Sequence, residues 1–316
     1  EQSVDVRVLD NLSTGSLRNL QTGPERGPRA GRPGRRIELV IGDARDDRLV
    51  RKAMRRVDCV YHLSGLPPGP MANGATEVHT ANVQATLNVL EGAATEGVRR
   101  VVFASCASVY GPSNGAPFTE DHLARPITVF AASKLASEVY CRAYHVSRHV
   151  ETVLLRYFNV YGPRQNAVQH GAFVPALVDT LRRGRRPALA GDGTGGQDFV
   201  YIDDAVAATV AAGSVAGANG RAINIGSGQL TSPLEILGLL NRLLRIDAVP
   251  RPARLRAEPP SPARADLRLA AELLGWAPRV SLVNGLANTV QFFCEADQQD
   301  EPLLAEVGSH EERSDF

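Results

Sequence analysis

The 316 residues are 43% hydrophobic, enough for a full α/β core, and their formal net charge of +1 offers no basic surplus for holding nucleic acid or an anionic membrane. Cys59, Cys106, Cys141 and Cys294 are widely spaced with no CxxC pair, which predicts reduced thiols of a cytosolic protein and excludes a disulfide or zinc framework. No run approaches the ~20 apolar residues of a membrane helix, and the N-terminus lacks the basic-then-apolar pattern of secretion.

In chain order, Val4 to Leu9 and Ile37 to Ile41 are β-branched apolar runs that end in Asp10 and in Gly42-Asp43, and they predict buried strands followed by polar turns. The Gly, Pro and Arg crowded between them from Gly23 to Arg36 have the composition of a solvated loop. A helix near Arg48 to Arg55, a strand over Asp58 to Leu63, a helix over Val83 to Glu96 and a strand over Arg100 to Ser105 follow. A long helix over Val129 to Arg148 and a strand over Thr152 to Tyr157 complete the alternation. Short apolar runs alternating with amphipathic helices predict an α/β fold with a doubly wound parallel sheet.

From Gly162 the alternation breaks into short elements and glycine turns, predicting a smaller lobe. The organisation read here is a sheet domain over 1–161, with 197–222 returning to it, and a lobe formed by 162–196 and 223–294. From Glu295 the acidic, polar composition predicts a disordered tail.

Two local features bear on chemistry. Asp10 ends a strand, where a carboxylate can accept both ribose hydroxyls of an adenosine, although aspartate is also common in turns. Of 35 basic residues only Lys52 and Lys134 are lysines. Lys52 lies in an arginine-rich polar run, which compositional chance explains. The surroundings of Lys134 are more pointed.

Nine segments occur in a set order: VRVLDNLSTG at 6–15, GDARD at 42–46, VYHLSG at 60–65, NVQATLNVLEGA at 82–93, SCASVYG at 105–111, AASKLASE at 131–138, LRYFNVYGPRQ at 155–165, GDGTGGQDFVYIDD at 191–204 and NIGSGQ at 224–229. Together they resemble the NAD-dependent nucleotide-sugar epimerase/dehydratase family of extended short-chain dehydrogenase/reductases, in type most like the UDP-glucose 4-epimerases, over about residues 4 to 290. The resemblance implies a Rossmann-type sheet, NAD as cofactor, a nucleotide-sugar substrate and a homodimer paired through the helices near 83–96 and 129–148. The near-zero net charge argues against a nucleic-acid or membrane partner, and no metal is expected.

Carried over by position, the resemblance sets Asp10 and Asn11 at the adenosine ribose, Asp43 and Ala44 at the adenine, and Leu63, Ser64, Gly65 and Asn82 along the dinucleotide. Tyr157 would lie near the nicotinamide, and Asn159, Gln197 and Arg256 at the sugar nucleotide. For Asn82 a helix cap, and for Asn159 a tie to nearby backbone, stand as alternatives. The family's chemistry is transient oxidation, in which a tyrosinate takes the sugar hydroxyl's proton as hydride leaves for the nicotinamide, with a lysine four residues on lowering the tyrosine pKa.

At the tyrosine position stands Phe130, with Lys134 in place, and the hydroxyl-orienting position holds Cys106. Phenylalanine has no proton to exchange, and only a thiol whose pKa the ammonium depresses would compensate. Gln197 replaces a phosphate-binding arginine. Ala107 and Ser108 stand where dehydratases carry an Asp-Glu pair, so epimerisation is favoured over dehydration or decarboxylation, and a catalytically silent binding homologue is the competing class. These residues open at the family's second strand, and two readings stand: a start assigned too late, with the first strand and its GxxGxxG turn upstream, or a real loss, which predicts a gap between two strands of the sheet and weak cofactor binding.

Overall fold

The computed structural model describes residues 4–20, 37–66, 74–113, 115–166, 172–253 and 263–308. Parallel strands β1 (Val6–Asp10) and β2 (Ile37–Ile41) pair with each other, and helix α1 (Asp47–Ala53) starts where the Asp46 carboxylate accepts from Leu49 N. After β3 (Cys59–His62), a composite helix runs through α2 (Ala75–His79), a π turn at Thr80–Gln84, and α3 (Ala85–Glu96), which Gly97 ends in the left-handed conformation. Then come β4 (Arg100–Cys106), α4 (Val129–Arg148), β5 (Glu151–Tyr157) and β6 (Asn159–Tyr161). The α4 N-terminus is capped by the Thr128 hydroxyl, which accepts from Ala131 N. Elements α5 (Phe173–Arg182), β7 (Ala188–Ala190), β8 (Phe199–Tyr201), α6 (Ile202–Ala212) and β9 (Ala222–Ile225) lead to α7 (Pro233–Leu244), which opens on a Ser232/Glu235 capping box. Last are β10 (Arg251–Ala253), α8 (Arg268–Leu274) and α9 (Leu282–Gly308).

Strands β3, β4, β5 and β9 form a parallel sheet in that order, the signature of βαβ crossovers. Side chains alternate across it. Val101 packs with Val50, Met54 and Val89 of α1 and α3, and Phe103 with Leu90 and Cys141 of α3 and α4. Val102, Val153 and Leu155 pack on the opposite face with Ala208 of α6 and Trp276 beyond α8. A separate core joins α5, α7 and α9 around Val178, Ile236 and Leu286.

The sheet is interrupted where the gap was expected. The β1-β2 pair makes no ladder with β3, and β1 and β3 border one cavity of about 2200 Å³. Apolar side chains beside this slot are bare, with Val6 46%, Tyr61 41% and Leu63 60% exposed.

Three expectations change. The strands and α4 fall within a residue or two of the predicted bounds, but the helix over Val83–Glu96 begins earlier and contains a π turn, a local insertion that periodicity alone does not reveal. Strand β9 pairs with β5, so the ladder of the parallel sheet takes in residues up to Ile225, past the expected return segment 197–222. Residues 295–308, read as tail, continue α9. Elongating an existing helix requires no new nucleus, and this stretch is rich in the good helix formers Glu, Gln, Ala and Leu.

Candidate active site

Helix α4 carries Phe130 and Lys134 one turn apart, beside the end of β4. Lys134 is 6% exposed, and its Nζ donates to Ala104 O at 2.9 Å. The ammonium lies 5.0 Å from the centre of the Phe103 ring and 6.0 Å from that of Phe130. Burial pushes its pKa down, since desolvation penalises the charged form. The Cys106 thiol lies 2.7 Å from Ser108 Oγ. Burial pushes its pKa up, outweighing the pull of the Lys134 charge, so Cys106 is not the low-pKa thiolate that would replace a missing base.

The turn after β3 reaches this pair. A Cβ on Gly65 would lie 3.0 Å from both Lys134 Nζ and Asn82 Oδ1, so a larger residue there would make these two side chains give way by a few tenths of an ångström. Asn82, 2% exposed in the π turn, accepts from Leu66 N at 2.7 Å and donates to Ser133 Oγ at 2.8 Å. Its side chain ties the turn to α4 and caps no helix. Leu63 and Ser64 are exposed on the same turn.

His62, which sequence reasoning did not single out, stands beneath. Thr86 Oγ1 spends its hydrogen on Asn82 O at 2.6 Å, so it accepts from His62 Nε2 at 2.9 Å. Nε2 therefore carries a hydrogen, and in the neutral ring Nδ1 accepts from Ser64 Oγ at 3.2 Å. Burial, helped by the Lys134 charge, holds its pKa down at about 3. A histidine at the end of an apolar strand was the available signal.

At the other end of the cavity, Asp10 Oδ1 accepts from Leu12 N at 2.7 Å. Asn11 Nδ2 donates to Asp43 Oδ2 at 3.0 Å, and Arg45 grips Asp43 with both Nε (2.9 Å) and Nη2 (2.6 Å). The Arg45 guanidinium holds the Asp43 carboxyl well below the usual carboxylate range. The structure thus gathers Asp10, Asn11, Asp43, Ala44, Leu63, Ser64 and Gly65 around one cavity. Ala44 is fastened by Asn88, which the sequence reading passed over.

The remaining residues are spread wider. Tyr157 faces α6, its hydroxyl 2.6 Å from Thr209 Oγ1, whereas the preceding Arg156 faces α4 and pairs with the buried Glu138 at 2.7 Å. Asn159 donates through its side chain to Asp198 O at 2.8 Å, the tie to backbone that stood as its alternative. Gln197 bridges to Thr231 and Ala263, and its Nε2 donates to Gly196 O at 3.1 Å. Arg256 lies outside the described residues. The buried Asp198, also unanticipated, accepts from the backbone N–H of Ser227, Gly228 and Ala265 and so ties its own segment to the loops at 227–228 and 265. Among the described residues, no three His, Cys, Asp or Glu side chains are placed to hold a metal ion, and no helix is long and apolar enough to cross a membrane.

The sequence pattern of the NAD dependent epimerase/dehydratase family matches residues 1–226. A UDP-glucose 4-epimerase from Mycolicibacterium smegmatis is 33% identical over 298 residues, covering 92% of this chain and 91% of that protein. The crystal structure of UDP-glucose 4-epimerase with UDP-glucose from Thermotoga maritima superposes with a TM-score of 0.82 at 26% identity, over 92% of this chain and 91% of that one. A tyrosine-to-phenylalanine mutant of UDP-glucuronic acid 4-epimerase from Bacillus cereus, in complex with a 4-deoxy-4-fluoro UDP sugar and NAD, superposes with a TM-score of 0.77 at 30% identity over 82% of each chain. With an α/β fold of Rossmann type and a family match over most of its length, this chain belongs to the NAD-dependent epimerase/dehydratase family.

Proposed function

We propose that the chain binds NAD and a nucleotide sugar, best a UDP-hexose, and acts as a 4-epimerase whose oxidation step is slow for want of a phenol at residue 130. The observation that carries this reading is Lys134, buried on α4 one turn from Phe130 with its ammonium turned to the end of β4. Relatives of similar sequence include UDP-sugar 4-epimerases beside a dehydratase and decarboxylases, and the Bacillus cereus mutant holds both NAD and a UDP sugar with a tyrosine replaced by phenylalanine.

The residues present fit the cofactor at both ends. The Asp10 carboxylate stands at a strand end beside Asn11 and the Asp43-Ala44 turn, and the Ser64-Gly65 turn closes on Lys134. NAD, when bound, takes a hydride from the sugar carbon and returns it to the other face. The chain's own part is to hold the sugar and to accept the proton of its hydroxyl. Neither the Phe130 ring nor the Cys106 thiol, which burial keeps protonated, provides a base. Ala107 and Ser108 supply no carboxylate for elimination, which disfavours dehydration. A homodimer through α3 and α4 is part of the same reading, supported by bare Val139 (56% exposed) and Val146 (76%) on α4.

The second reading is a binding protein without turnover, favoured by the joint replacements at Phe130 and Cys106. Titration with NAD and UDP-glucose, followed by chromatographic assay of C4 epimerisation, separates the two. Slow turnover that rises ~10²–10⁴-fold in Phe130→Tyr supports the epimerase. A Phe130→Tyr protein that binds both ligands yet stays inert overturns the catalytic assignment of residue 130.

A further inference from the structure

Asn88 lies on α3, 9% exposed and facing the turn that follows β2. Its Nδ2 donates to two successive carbonyls of that turn, Ala44 O at 3.0 Å and Arg45 O at 2.9 Å. Its Oδ1 accepts from Gln84 Nε2 at 3.0 Å, so Gln84 sets the amide's orientation and leaves both N–H groups for the turn. The same turn carries Asp43, whose carboxylate is engaged by Asn11 and Arg45, and it borders the cavity beside Asp10.

We infer that Asn88 is a positioning residue for adenosine recognition: from the helix layer it sets the Asp43–Arg45 turn at the depth where an adenine edge meets it. The inference rests on the NAD reading above and goes further by assigning a residue that touches no ligand. An amide suits the role because two converging carbonyl oxygens need two donors on one atom. A carboxylate would meet those oxygens as an acceptor facing acceptors, and an alanine would leave them without donors.

The test compares wild type, Asn88→Asp and Asn88→Ala by titration with AMP and, separately, with UDP, and follows amide hydrogen exchange at Ala44 to Asp46. Both variants are expected to bind AMP about tenfold more weakly, keep UDP affinity within about twofold, and exchange faster at the turn. Asn88→Ser, which keeps a donor in a smaller side chain, should fall between and serves if the other two fail to fold. Unchanged AMP affinity overturns the inference, and so does an equal loss for AMP and UDP, which is the mark of general destabilisation. A wild-type protein that binds UDP but no AMP overturns the cofactor reading itself, an outcome read without any Asn88 variant.

Discussion

The Lys134 ammonium lies 6.0 Å from the centre of the Phe130 ring and donates to the Ala104 carbonyl at 2.9 Å, so its neighbours on this side are a neutral ring and a neutral acceptor. A phenol at residue 130 would give that charge something to stabilise. Lys134→Met is therefore expected to change the wild-type epimerisation rate severalfold at most, measured at saturating NAD and UDP-glucose. In a Phe130→Tyr background the same substitution should cost ~10²-fold or more, since residues acting as a unit are non-additive. Equal effects in the two backgrounds would show that Lys134 acts independently of residue 130.

Cys106 should label slowly with a small alkylating reagent near neutral pH. Burial raises its thiol pKa, so the reactive thiolate is scarce and the rate should climb with pH into the alkaline range. Comparing total labelling with that of Cys106→Ser isolates its contribution. Fast, pH-independent labelling at neutral pH would instead reveal a stabilised thiolate.

The neutral His62 ties acid stability to the site. Its folded-state pKa of about 3 lies below the 6.5 of a free imidazole, so between these values the unfolded chain binds a proton that the native state refuses. The stability this group contributes is fully present above pH 6.5 and is lost progressively as the pH falls towards 3. Urea midpoints across that window should decline less steeply in His62→Gln than in wild type, and parallel declines would mean that His62 is not the group responsible.

Glu138 and Arg156 are 0% and 3% exposed, 2.7 Å apart, and Glu138 also accepts from Ser105 at 2.6 Å. Removing one member leaves a buried charge. Glu138→Ala should destabilise by ~3–5 kcal/mol in denaturant unfolding, whereas the double variant Glu138→Leu/Arg156→Met should lose markedly less. A single variant no worse than the double would remove the case for a coupled pair.

How much of this was legible beforehand follows from the kind of signal each residue carries. Strand and helix order and the i, i+4 placement of Phe130 and Lys134 were legible because periodicity and segment order are local properties. The π turn was not, because an insertion of one residue into a helix leaves its composition unchanged. His62, Asn88 and Asp198 escaped because their importance lies in partners far away in sequence, such as Ala265 for Asp198. Asn159 carries both kinds of signal: its family position points to a ligand, and its amide donates to the carbonyl of Asp198, 39 residues on.

The carboxylate of Asp198 has a consequence for how the chain loosens. Because one buried side chain accepts from the backbone of Ser227, Gly228 and Ala265, these groups lose their acceptor together and not one by one. Loops distant in sequence thereby share a single latch.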